Sequence, residues 1–86
     1  MKLSPNFYSH RIGDETVLVP VGGTDFSGMV RGNAVFGAVL ELMKTETTEE
    51  EIVAAMTARF DAPEDVIAGD VKKVLSKLRE IGAVEE

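Results

Sequence analysis

The sequence contains no cysteine and no tryptophan, a single histidine and three prolines. Without cysteine there is no disulfide framework, no thiolate nucleophile and no zinc–thiolate site. One histidine, His10, cannot build a multi-histidine metal site or a histidine dyad. No stretch approaches the roughly 18 apolar residues of a membrane span, and the N-terminus lacks the apolar core of a signal peptide. The chain therefore reads as a cytoplasmic protein. Gly22-Gly23 is followed by a strand-like segment instead of a helix and belongs to neither GxxxxGK[ST] nor GxGxxG, so it reads as a turn and not as a phosphate loop. No nucleophile–base pair or metal-ligand set is present, which argues against an enzyme.

What is present is one domain over residues 1–86, with residues 1–6 expected as a flexible tail. At 86 residues and 44% hydrophobic content, the chain supports one modest core and no lidded catalytic cavity. The net charge of −6 is unevenly spread. Acidic residues dominate from Asp14 to Asp70, whereas Lys72, Lys73, Lys77 and Arg79 follow one another with no acid between them. Binding to a phosphate backbone runs through displaced counterions at Lys and Arg, so an acidic chain is a poor general ligand for nucleic acid. A basic stripe on an acidic body fits a small acidic or peptidic partner better.

The local patterns give an α+β order. Phe7–Ile12, Thr16–Val21 and Phe26–Arg31 read as strands separated by the turns Gly13-Asp14-Glu15 and Gly22 to Asp25. Pro20 is awkward in a strand, because it cannot donate to a ladder. The simplest assembly is a three-stranded antiparallel meander. Behind the cap Asn33, Val35, Phe36, Val39, Leu40 and Met43 mark one face of a first helix. Thr48 with Glu51 opens a second helix as a capping box, and Glu49 and Glu50 favour the same helix start, so these carboxylates are structural. Ile67, Val71, Val74, Leu75, Leu78 and Ile81 line a third helix that stops at Gly82. A small sheet followed by three helices has the outline of a winged helix-turn-helix.

A binding surface follows from that outline. The third strand of a meander keeps one open edge, with N–H and C=O groups able to template a further strand. On the third helix, Lys73, Val74, Lys77 and Ile81 share a flank with Asp70, while Lys72 and Arg79 lie on the other. Periodicity does not say which flank faces the strand. If the open edge and this helix lie side by side, they form a groove for an extended peptide.

The segments TVLVPVG, DFSGMVRGN, TTEEEIV and DV…VL..LRE.GAV, in this order and spacing, resemble the PqqD family of RiPP recognition elements over roughly residues 8–84. Two departures stand out: Gly32-Asn33 where the family commonly has Leu-Asn, and Leu40 where it often has Trp. Both read as core adjustments. The resemblance implies a non-catalytic peptide chaperone that captures the leader of a ribosomally made precursor peptide. It would present that leader to a modifying enzyme, frequently a radical S-adenosylmethionine enzyme, with no cofactor or metal of its own. The leader would add a strand along Phe26, Ser27, Gly28, Met29, Val30 and Arg31, against Lys73, Val74, Lys77 and Ile81. Proline at Met29 or Val30 is then expected to weaken binding by removing a donor. The alternative is a winged-helix DNA-binding or transcription-regulating domain, which the net charge opposes. The open edge also allows a dimer.

Overall fold

A computed structural model describes residues 1–86. The elements run β1 (Lys2–Leu3), β2 (Phe7–Ile12), β3 (Glu15–Pro20), β4 (Val30–Gly32), α1 (Ala34–Leu42), α2 (Glu49–Arg59), α3 (Glu64–Glu80) and β5 (Val84–Glu85). The architecture is α+β and winged helix-turn-helix-like, an antiparallel β2-β3-β4 sheet followed by three helices.

β2 and β3 pair from Phe7↔Pro20 to Ile12↔Glu15. Gly13, with φ of +62°, sits in the two-residue turn where a left-handed backbone matches the twist of the strands. One face of the sheet is apolar: Phe7 and Leu18 are buried in the core and Val30 leans on it. β4 pairs β3 through Thr16↔Gly32, Val17↔Arg31 and Leu18↔Val30.

The strand expected over Phe26–Arg31 is shorter and displaced, beginning at Val30 and ending at Gly32. The backbone explains where it starts. Val21 N–H donates to Asn6 O at 2.8 Å, and bonding residues alternate along an antiparallel ladder. Hence Glu15, Val17 and Val19 face β2, whereas Thr16, Leu18 and Pro20 face β4. The position opposite Pro20 in this register is Gly28. Proline offers it no N–H, and Gly28 itself has φ of +108°, far from strand geometry. Pairing therefore stops at Val30.

The helix starts follow their caps. The Asn33 side chain accepts from Val35 N–H at 3.1 Å and Phe36 N–H at 3.2 Å, and Thr48 Oγ1 accepts from Glu51 N–H at 3.2 Å. α3 has no side-chain cap and begins after Pro63, whose fixed φ suits a helix entrance. It ends in a Schellman arrangement, with Ala83 N–H donating to Leu78 O at 2.8 Å and Gly82 N–H to Arg79 O at 3.1 Å. Gly82, at φ +76°, supplies the left-handed residue this needs. The three helices bury Val39, Leu40, Met43, Ile52, Met56, Val71, Leu75 and Leu78 against Leu18.

Residues 1–6 are not a loose tail. β1 pairs antiparallel with β5 through Lys2↔Glu85 and Leu3↔Val84. Leu3 N–H donates to Met43 O and Ser4 N–H to Ala83 O, both at 2.8 Å. The N-terminal ammonium donates to Glu46 Oε1 at 2.6 Å and Thr47 O at 2.8 Å. A two-residue strand carries too few side chains for a periodicity to register, so its pairing is set by the ends it joins.

Candidate functional site

The sheet order β2-β3-β4 leaves β4 with an open edge. Because Val30 and Gly32 bond inward to Leu18 and Thr16, Arg31 turns its backbone N–H and C=O outward. Its side chain is exposed and lies 3.7 Å from Glu15 on β3, a solvated pair that holds little stability. Within the expected strand segment, the six residues have three settings. Phe26 is half-buried, its ring centroid 6.1 Å from that of Phe7, and it closes the end of the core. Ser27, Gly28 and Met29 are exposed loop residues. Val30 and Arg31 form the strand itself.

On α3, burial separates the expected residues. Val71, Leu75 and Leu78 point into the core, and Val74 is half-buried beside it. Ile81 is 9% exposed and belongs to the core cluster, so it is withdrawn from the surface expected of it. It lies at the end of α3, where the Schellman turn folds Ala83 and β5 back over the helix. Lys73 and Lys77 are exposed and share a shallow concavity of about 470 Å³ with Gly69, Lys72, Ser76 and Glu80. Lys72 therefore joins the two lysines instead of lying apart from them. A wholly polar 69, 72, 73, 76, 77, 80 spacing is the solvent stripe of a 3.6-residue period, and that signal was legible. Arg79 is engaged elsewhere, its Nε donating to Glu86 Oε1 at 3.0 Å.

The electrostatics of this face are simple. Lys72, Lys73 and Lys77 take part in none of the chain's ion pairs. Three unpaired ammonium groups on a chain of net charge −6 make a local positive region that an acidic ligand can reach. A different concavity, about 750 Å³, lies between the open end of the sheet and α1 and α2. It mixes Arg11, Lys44 and Arg59 with Asp14 and Glu41, and Lys44 is paired with Glu41 at 3.2 Å. Its larger volume brings no consistent charge, because acidic and basic side chains alternate around it.

Two comparisons bear on this arrangement. The family model for coenzyme PQQ synthesis protein D (PqqD) matches residues 15–84. A solved structure, TbiB1 in complex with the TbiA(beta) leader peptide, superposes with a TM-score of 0.76 at 26% sequence identity, covering 99% of this chain and 100% of that one. None of the curated proteins matches the sequence. The family match runs from β3 to β5 and so takes in the edge strand and all three helices, and on that span the chain belongs to the PqqD family.

Proposed function

We propose that this protein is a RiPP recognition element that captures the leader of a ribosomally made precursor peptide as an added strand on β4. It acts in the cytoplasm without chemistry of its own and hands the leader to a peptide-modifying enzyme, a radical S-adenosylmethionine enzyme being the favoured partner. The observation that carries this reading is the open edge of β4 in a chain whose structural relative is a complex with a leader peptide. Outward main-chain groups at Arg31 supply register with little demand on sequence. Val30 and Val74, both leaning on the one core cluster, provide apolar contact for alternate side chains of the guest. Lys73 and Lys77, with Lys72 added to them, select an acidic leader. Phe26, Ser27, Gly28 and Met29 extend the dock beyond the short strand. The DNA-binding alternative is not favoured, because the lysine face sits on an acidic body and duplex binding needs a broad basic footprint.

The test is a calorimetric titration with synthetic N-terminal segments of whatever short open reading frames neighbour this gene, each against its scrambled sequence. One leader is expected to bind and its scrambled form not to. Lys77→Glu should weaken that binding by about 1–2 kcal/mol without changing the fold. Equal affinity of wild type and variant would move the site away from α3.

A further inference from the structure

The sheet has two open edges, and the leader site uses one of them. The other belongs to β2, six residues from Phe7 to Ile12. The alternation that sends Tyr8, His10 and Ile12 to bond with β3 turns Ser9 and Arg11 outward, with no backbone partner in the chain. Exposed edges are ordinarily blunted by a proline, a bulge or a charge. β2 has no proline, pairs without a bulge along its whole length, and carries one charge, Arg11, whose Nε curls back to Gly13 O at 3.0 Å. Its outer face shows Tyr8 at 56% and Ile12 at 60% exposure, and the Tyr8 and His10 rings stack at 6.2 Å.

We propose that β2 is the self-association surface of this protein, pairing antiparallel with β2 of a second copy about a two-fold axis through His10. A two-fold normal to the sheet keeps the outer faces on one side, so residues standing opposite must both be outer or both inner. Two central registers satisfy this. Centring on Ser9 sets Tyr8 against His10 and leaves Ile12 without an apolar neighbour. Centring on His10 sets Tyr8 against Ile12 of the second copy, twice, and joins Ser9 to Arg11 through their free N–H and C=O groups. Cross-strand apolar pairs stabilise a sheet, so the His10 register is selected.

Charge also favours this edge. Residues 1–13 contain no Asp or Glu in a chain of net charge −6, so the strand itself brings no carboxylate to the contact between two acidic molecules. The contact is smaller than the roughly 1,600 Å² of a stable interface, so the dimer is weak and forms at about 0.1–1 mM protein. The resulting six-stranded sheet keeps both β4 edges at its outer ends, open to peptide.

Sedimentation velocity from about 10 µM to 1 mM protein tests this across the range expected for a small interface. The weight-average mass should rise towards that of a dimer. His10→Asp, which sets two carboxylates face to face on the axis, should weaken association at least tenfold with an unchanged far-ultraviolet circular dichroism spectrum. Ile12→Lys should do the same, whereas Met29→Asp, beside the other edge, should leave it intact. A monomer throughout the range would overturn the proposal. So would a dimer indifferent to His10→Asp and Ile12→Lys, or one lost with Met29→Asp.

Discussion

Gly32 and Phe36 show how one residue change is absorbed by its neighbour. A Cβ on Gly32 would run into the Phe36 ring, and one on Gly37 into Thr16 Oγ1. The space beside Gly32 at the strand–helix junction is filled from the helix side, by a phenylalanine 6% exposed. Gly32→Ala should therefore cost roughly 1–3 kcal/mol, the usual range for overpacking. Combining it with Phe36→Leu should recover part of that loss, a coupling that a urea-melt double-mutant cycle reads directly. At the other end of the chain, the hydrogen bond from the N-terminal ammonium holds the Glu46 carboxyl below its ordinary value, with the ammonium charge and Lys2 adding to the effect. A carboxyl depressed in the folded state contributes stability that is present above the unfolded glutamate pKa and is lost as pH falls through the folded one. Acetylating the N-terminus should return Glu46 towards the usual glutamate range and remove this part of the acid sensitivity, as an NMR titration of its side chain would show.

Edge strand β4 separates two effects of proline that the sequence could not. Val30 N–H faces Leu18 inside the native ladder, whereas Arg31 N–H faces outward. Val30→Pro should thus lower the melting temperature of the free protein, because it deletes a bond of the sheet itself. Arg31→Pro should leave the melt nearly unchanged and weaken leader binding, since the donor it deletes is the one the proposed added strand would use. Thermal melts run beside calorimetry decide the matter, and a bound-state affinity untouched by Arg31→Pro would exclude strand addition at this edge. The order of elements was legible because β-branched runs, turn glycines and the Asn33 and Thr48 caps are local signals. The limits of β4 were not, because they depend on Pro20, a residue of the neighbouring strand, and on the register that brings it opposite Gly28. The β1–β5 pairing was invisible for a related reason: Lys2–Leu3 and Val84–Glu85 meet only after α1 and α3 are packed. Within the candidate site, the lysines of α3 were readable from their spacing. The burial of Ile81 was not, since the turn at Gly82 that covers it reverses the chain beyond the helix.

Across the whole molecule, charge acts at two ranges with opposite signs. The chain as a whole carries −6 and repels an acidic leader at a distance, while on the proposed site Lys72, Lys73 and Lys77 would attract it at contact. Salt screens both, with a Debye length of about 10 Å at 0.1 M, and the balance decides the sign of the observed dependence. On the proposed site the three unpaired ammonium groups would lie nearest the guest, so affinity should fall as salt rises. Replacing all three with glutamine removes the attraction and leaves the body's repulsion, which salt then relieves. The slope of affinity against salt should reverse in that variant, a sharper outcome than a simple loss of binding. Titrations from about 20 mM to 500 mM salt, spanning Debye lengths well above and below the size of the lysine face, measure it. A leader whose affinity for the triple variant still falls with salt would have to be held by cations elsewhere on the chain, and the α3 face would then not be its site.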